Sequence, residues 1–367
     1  MQFEISRETL IKPLQLVTGV VERRQTLPVL SNVLLVLEAD QLSMTGTDLE
    51  VELVGRVPVE PGSDAGEVTV PARKLMDICK SLPDSASMKF ELDDNKLVIR
   101  SGRSRFSLST LPPSDFPSVD GSAESLEFKV SQERLKEMLD STSFAMAQQD
   151  VRYYLNGMLF EVSPNYLRVV ASDGHRLAMD TENMKTPAEK VMQVIVPRKG
   201  ILELARLLAE GSDEVTIIIG ANHIRATTAN FTFTSKLVDG KFPDLERILP
   251  KGGDKTLVAD REQLRQSLNR TAILSNEKFR GIRIILKKDE VKILANNPEQ
   301  EEAEETVPVE YSGESFEIGF NVSYLVDVLS VLDSATVQVI MSDPNSSALI
   351  QGEDGNNALY VVMPMRL

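Results

Sequence analysis

At 367 residues, with 42% hydrophobic and 26% charged residues, the chain is too long for one comfortable core and too balanced to be disordered or fibrous. A formal charge of −15 excludes a uniformly basic nucleic-acid coat, though not a basic stripe, and a single cysteine excludes a disulfide framework. The opening Met1-Gln2-Phe3-Glu4-Ile5-Ser6-Arg7 reads as a charged strand, neither signal peptide nor membrane span, so a cytoplasmic location is expected.

In chain order, Ser6 is expected to cap a helix whose apolar stripe is Leu10, Leu14, Val17 and Val21. Similar helix starts recur at Ser131, ahead of Leu135, Met138 and Leu139, and at Asp260, with Gln263 three residues on and Leu264 and Leu268 beyond. Each helix is followed by a strand pair ending in a related turn, at residues 42–48, 167–173 and 291–297. A second motif, Val70-Pro71-Ala72-Arg73-Lys74-Leu75, returns 126 residues later as Val196-Pro197-Arg198-Lys199-Gly200-Ile201. In both, an apolar run ends at Val and Pro is expected in the first helical turn, where its missing N–H costs nothing. Leu75, Ile78 and Leu82 form one stripe; Ile201, Leu204 and Leu208 form the other. A degenerate third copy starts at Phe320-Asn321, with Asn321 as N-cap and Leu325, Val328, Leu329 and Leu332 as the stripe. Alternating strands such as Val215, Ile217, Ile219 and Phe231, Phe233 close the unit.

The chain therefore reads as three versions of one α+β unit, each a strand, a helix and strands, repeated twice, with two helices covering one side of antiparallel sheet. Turn residues gather at Leu111-Pro112-Pro113-Ser114 through Gly121-Ser122 and at Pro250-Lys251-Gly252-Gly253-Asp254, which sets the expected domains at 1–125, 126–253 and 254–367.

No constellation for catalysis emerges. His175 and His223 are isolated, phosphate-loop and dinucleotide glycine patterns are missing, and Cys79 lies on an apolar helix face as a buried bystander; neither a cofactor nor a metal is expected. Three features carry more. Arg23-Arg24, Arg73-Lys74, Arg152 and Arg198-Lys199 are either solvated charge or one surface that tracks a phosphate backbone. Arg100, Arg103 and Arg105 near Phe106 contrast with the acidic run Glu299 to Glu305, which is either a solvated loop or one half of a head-to-tail contact. The apolar terminus Tyr360-Val361-Val362-Met363-Pro364-Met365-Arg366-Leu367 is either a last edge strand or an adaptable Met-lined pocket.

Thr26-Leu27-Pro28-Val29-Leu30-Ser31-Asn32, Gly46-Thr47-Asp48-Leu49-Glu50, Asp173-Gly174-His175-Arg176-Leu177 and Met363-Pro364-Met365-Arg366-Leu367 together closely resemble the bacterial DNA sliding clamp family, the beta subunit of DNA polymerase III. The resemblance covers the whole chain. It implies three similar clamp domains per chain, a head-to-tail dimeric ring around duplex DNA, no enzymatic activity, and a hydrophobic cleft for short peptides of partners. Those partners are the replicative polymerase alpha subunit, the clamp-loader delta subunit, translesion polymerases and mismatch-repair proteins. Treated as beads about 35 Å across, six such domains leave a hole of roughly one bead, wide enough for a duplex roughly 20 Å wide, whereas three do not.

With that resemblance, Arg24, Arg73, Gln149, Arg152, Tyr153, Tyr154, Arg198 and Lys199 are expected to face DNA. The cleft is expected to gather Leu155, Ser172, Gly174, His175, Arg176, Leu177, Pro243, Arg247, Ile248, Val361, Met363, Pro364, Met365 and Arg366, with the arginines steering the peptide. Arg103, Arg105 and Phe106 are expected to meet Ile273, Leu274, Glu299, Glu302 and Glu305 of a second copy. A peptide adaptor that binds no DNA and a metal-dependent nuclease are the rival readings.

Overall fold

The computed structural model describes residues 1–22, 27–117, 126–208, 213–353 and 357–366. Arg23, Arg24, Thr26, residues 118–122 of the linker and Leu367 lie outside them. The first third runs β1 (Gln2–Ser6), α1 (Arg7–Val20), β2 (Asn32–Glu38), β3 (Gln41–Thr47), β4 (Val51–Pro58), β5 (Gly66–Pro71), α2 (Ala72–Ser81), β6 (Ser87–Asp93), β7 (Lys96–Ser101) and β8 (Ser104–Ser109). The second runs β9 (Leu126–Ser131), α3 (Gln132–Thr142), β10 (Gly157–Ser163), β11 (Tyr166–Ser172), β12 (Arg176–Asn183), β13 (Met192–Pro197), α4 (Arg198–Leu207), β14 (Glu214–Ile219), β15 (His223–Thr227) and β16 (Phe231–Lys236). After the single turn α5 (Leu245–Ile248), the third runs β17 (Lys255–Asp260), α6 (Arg261–Ala272), β18 (Gly281–Lys287), β19 (Glu290–Asn296), β20 (Glu302–Pro308), β21 (Phe316–Asn321), α7 (Val322–Val331), β22 (Thr336–Met341), β23 (Ala348–Gly352) and β24 (Ala358–Val362).

Local chemistry sets the helix starts. Ser6 Oγ accepts from Thr9 N at 3.1 Å, Asp260 from Gln263 N at 2.7 Å and Asn321 from Ser323 N at 2.9 Å, each satisfying a first-turn donor. Leu10, Leu14, Val17 and Val20 of α1 are buried, as are Leu325, Val328 and Leu329 of α7. Two details differ from expectation. Pro71 is the N-cap of α2, one position early, with the φ of −57° that its ring imposes. The face of α2 that packs is Ala72, Leu75, Met76 and Cys79, which leaves Ile78 and Leu82 half-buried at its edge. Burial raises the Cys79 thiol to about 11, as an inert core residue requires.

The strands form quartets, all antiparallel. In the first third these are β5-β2-β3-β4 and β1-β6-β7-β8; in the second, β13-β10-β11-β12 and β9-β14-β15-β16; in the third, β17-β22-β23-β24 and β21-β18-β19-β20. Quartets merge in pairs. β4 pairs with β16, with Leu53 opposite Phe233, and β12 pairs with β24, with Leu177 opposite Val361. Two eight-stranded sheets result, and each repeat shares sheet with its neighbour instead of closing its own.

The chain divides into two compact units, Met1–Glu133 with Leu202–Leu237, and Arg134–Ile201 with Val238–Leu367. The first holds the sheet joined at β4 and β16. The second holds the sheet joined at β12 and β24 and a cluster of buried Leu155, Leu159, Val170, Leu177, Ile195, Phe242, Leu245 and Val361. In the second unit Arg134 of α3 bonds Asp180 at 2.6 Å and Glu182 at 2.8 Å, fixing the helix to β12.

Candidate functional site

The tight turn between β11 and β12 organises the site. Asp173 Oδ1 accepts from His175 N and Arg176 N at 2.9 and 3.0 Å, and Ser172 Oγ bridges Gly174 N and Arg176 O at 3.1 and 2.7 Å. Gly174 takes φ +88°, and a Cβ there would lie 2.8 Å from the guanidinium of Arg152. Glycine thus serves both the left-handed turn and the close approach.

A cavity of about 70 Å³ opens beside this turn, lined by Arg152, Tyr154, Leu155, Ser172, Gly174, Arg176, Leu177, Pro243, Ile248, Val361 and Met363. Leu155, Leu177 and Val361 are buried members of the underlying cluster, against which Tyr154 and Ile248 pack. Four separate stretches, at 152–155, 172–177, 243–248 and 361–363, converge here. Pairing of β24 with β12 delivers the last of them, and Met363 N donates to His175 O at 2.9 Å. The space lies well below the roughly 300–1,000 Å³ of small-molecule sites, so it suits apolar side chains of a chain lying across the surface.

Nine of the fourteen residues expected in the cleft line the cavity, and five do not. His175 is exposed, its ring stacked on Tyr324 at 6.3 Å between centroids. Arg247 is open to solvent beside Asp244 at 3.4 Å and lines a more polar cavity that shares Ile248. Met365 N donates to Gly319 O at 2.8 Å, which carries Pro364, Met365 and Arg366 toward β21. The steering role expected of Arg176 does not hold, because its guanidinium is in use. It donates to Asp173 Oδ2 at 3.1 Å, Asp327 Oδ2 at 2.5 Å and Phe144 O at 2.9 Å, and lies over the rings of Phe144 and Tyr324.

The fold agrees with the comparisons. The chain matches models of the DNA polymerase III beta subunit: the N-terminal domain over residues 1–120, the central domain over 129–244 and the C-terminal domain over 246–366. It is 65% identical to the beta sliding clamp of Pseudomonas aeruginosa and 53% identical to that of Vibrio cholerae, covering 100% of both chains in each case. A crystal structure of the Pseudomonas aeruginosa sliding clamp bound to griselimycin superposes with a TM-score of 0.98 at 64% identity, again over 100% of each chain.

The chain belongs to the DNA polymerase III beta subunit family.

Among the residues that family resemblance assigns to DNA, Arg24 lies outside the described residues. Arg152 and Tyr154 line the cleft cavity. The reason for Arg152 is local: Asp150 takes its Nε and Nη2 at 3.0 and 2.8 Å, and Asp173 O takes Nη2 at 3.1 Å. These donated bonds hold the Asp150 carboxyl down at about 2. Arg73, Gln149 and Tyr153 are exposed, Gln149 at φ +57°, whereas Arg198 and Lys199 are half-buried and Arg198 reaches Met146 O at 3.3 Å.

For the self-contact expected in this family, Arg103, Arg105, Glu299 and Glu302 are exposed, Phe106 and Leu274 half-buried, and Ile273 is 75% exposed. Glu305 is engaged in its own chain, bonded to Arg270 at 2.7 Å, so it is not a free charge for a partner. Sequence reasoning missed Phe144, Tyr324 and Asp327, which hold Arg176. Their only signal is an aromatic and an acid at helical spacing in α7, three residues apart, which ordinary helices also show.

Proposed function

We propose that this chain is a non-catalytic DNA sliding clamp, a processivity factor that encircles duplex DNA and tethers replication and repair proteins through the cleft at Gly174. The observation that carries the reading is the cleft itself: an apolar pocket with a polar rim, suited to side chains of a short peptide and supplied by four separate stretches of chain. Partners fitting it are the replicative polymerase alpha subunit, the clamp-loader delta subunit, translesion polymerases and mismatch-repair proteins. Each would insert a short apolar motif, with Met363 adapting to different side chains. Cytoplasmic action belongs to the same reading; no helix among the described residues is long and apolar enough to cross a membrane.

The head-to-tail dimer follows from sheet topology. Within the chain, the edge strand β4 joins β16 of the next repeat, and β12 joins β24. The strand equivalent to β4 and β12 in the third repeat is β20; the strand equivalent to β16 and β24 in the first is β8. Both are sheet edges, and among the described residues neither carries a backbone bridge from outside its sheet, unlike the β5, β17 and β21 edges, which are bonded by Leu111, Glu310 and Met365. An open edge invites strand pairing, so β20 of one chain joining β8 of another continues the same rule and closes a ring at two chains. Apolar anchors Phe106, Ile273 and Leu274 flank that join. Three domains, 1–125, 126–253 and 254–367, are the units repeated.

DNA would be held by Arg24, Arg73, Gln149, Tyr153, Arg198 and Lys199 through backbone contacts that favour no position along the duplex. The test is paired: deletion of Met363–Leu367 and Ala at both Arg73 and Gln149. The deletion should abolish binding of a Gln-Leu-x-Leu-Phe peptide while leaving the dimer intact, and the double substitution should weaken retention on DNA without touching peptide binding. Peptide affinity that survives the deletion removes the cleft from the account.

A further inference from the structure

The turn at residues 47–51 repeats the cleft turn at 172–176 bond for bond. Thr47 Oγ1 donates to Val51 O at 2.9 Å and accepts from Leu49 N at 3.0 Å, as Ser172 does with Arg176 and Gly174. Asp48 Oδ1 accepts from Glu50 N and Val51 N at 2.9 and 2.7 Å, the bonds that Asp173 makes to His175 and Arg176. The chain leaving the neighbouring strand closes both turns alike: Lys236 N donates to Glu50 O at 2.8 Å, Met363 N to His175 O at 2.9 Å. Ahead of each turn, a short helical turn is closed by Leu30 N to Leu27 O at 3.1 Å or Leu155 N to Arg152 O at 2.8 Å. Beneath the first lies its own apolar cluster, Val29, Leu30 and Phe116 with Leu34 and Leu111 packed against it.

The difference lies in what the scaffold presents. Leu49 holds φ +77° where Gly174 holds +88°, and a bulky L residue in that region is uncommon. Leu49 is nevertheless 39% exposed, and Leu27, which stands where Arg152 stands in the cleft, is 49% exposed. The position of His175 is taken by Glu50, an exposed carboxylate. A strained backbone that leaves an apolar side chain partly in water costs stability.

We propose that Leu27, Leu49 and Glu50 form a second docking point, for a short linear peptide that presents a Leu- or Phe-type side chain to the two leucines and a Lys or Arg to Glu50. It rests on the reading of the Gly174 cleft as a peptide site, because the two share one scaffold. The basic preference comes from Glu50, an exposed carboxylate where the cleft turn has His175. A partner with one motif of each kind would gain from effective concentration beyond either contact alone.

Two fluorescein-labelled pentapeptides test it by anisotropy: Lys-Leu-Lys-Leu-Phe and Gln-Leu-Asp-Leu-Phe. They are titrated into the full chain, the Leu49→Gly and Glu50→Lys variants, and the chain lacking Met363–Leu367. The basic probe should lose about tenfold in affinity with either substitution and be unaffected by the deletion, and the acidic probe should show the reverse. Glycine suits the φ at position 49, so Leu49→Gly keeps the fold, and a thermal melt checks it. Basic-probe binding that ignores both substitutions, or that vanishes with the deletion, overturns the proposal. So does a change in solution mass with Leu49→Gly and none in probe affinity, which assigns the patch to self-contact. Acidic-probe binding that survives the deletion counts against the Gly174 cleft alone.

Discussion

Arg176 of β12 and Asp327 of α7 are joined at 2.5 Å, and the same guanidinium lies 5.0 Å from the Phe144 ring and 4.7 Å from that of Tyr324. This residue ties the strand that forms the cleft wall to a helix of the C-terminal repeat. Arg176→Ala should cost about 2–4 kcal/mol, since it leaves Asp327 and the Phe144 carbonyl without their donor, and the melting temperature should fall by about 5 °C or more. Peptide affinity should fall with it. Arg176→Lys should sit between, because an ammonium keeps the charge but neither the fork nor the stacking. A melting curve unchanged in Arg176→Ala would remove the tie from the account.

Gly174→Ala tests the cleft turn. A Cβ would sit 2.8 Å from the Arg152 guanidinium, on a backbone at φ +88°. The strain should cost about 1–2 kcal/mol. Displacing Arg152 into the cavity should weaken a Gln-Leu-x-Leu-Phe peptide about tenfold. Wild-type affinity in this variant, measured by anisotropy, would mean the turn and Arg152 do not shape the pocket.

Most of the fold was legible in the sequence because caps and stripes are local. Ser6, Asp260 and Asn321 mark their helices where expected, and the duplicated Val-Pro motif fixes the repeat. The sharing of sheets between repeats was not legible, since β4 and β16 meet across a sequence separation that periodicity does not encode. In the site, Leu155, Gly174, Leu177, Val361 and Met363 follow from resemblance. The place of Arg152 in the cleft wall was not legible, because a cation near a helix start looks the same whether it is free or clamped by Asp150. Arg176 was misread for the same reason, its partners being far away in the chain.

The Asp150 carboxyl should stay ionised in strongly acidic solution. Bonds from Arg152 depress its value from 3.8 to about 2, so the pairing is fully present above 3.8 and is lost as pH falls through about 2. A carbon-detected carboxyl titration should find it still charged at about pH 3. A midpoint near 3.8 would show that Arg152 is not held, and the cleft wall would need another support.

Cys79 should be unreactive in the native chain. Burial lifts its thiol to about 11, leaving little thiolate at neutral pH and no access for reagent. Ellman's reagent at mildly alkaline pH should label it only after denaturation. Rapid native labelling would indicate that α2 opens readily from the core.

Ile273→Ala with Leu274→Ala should give monomers by sedimentation at low concentration. Ile273 is 75% exposed within the chain, so its truncation should leave thermal stability nearly unchanged while removing an apolar anchor of the contact. A double variant that stays dimeric would move the contact away from this corner and from the β8 and β20 edges.

Retention on circular DNA tests the central claim most directly. The chain is loaded on a nicked circular plasmid by a bacterial clamp loader and followed by gel filtration at moderate salt, before and after the plasmid is cut once. A topological ring should co-elute with the circle and be lost when it is linearised, because it slides off a free end while its weak backbone contacts hold no position. Equal retention on circular and linear DNA, or none on either, would contradict the account.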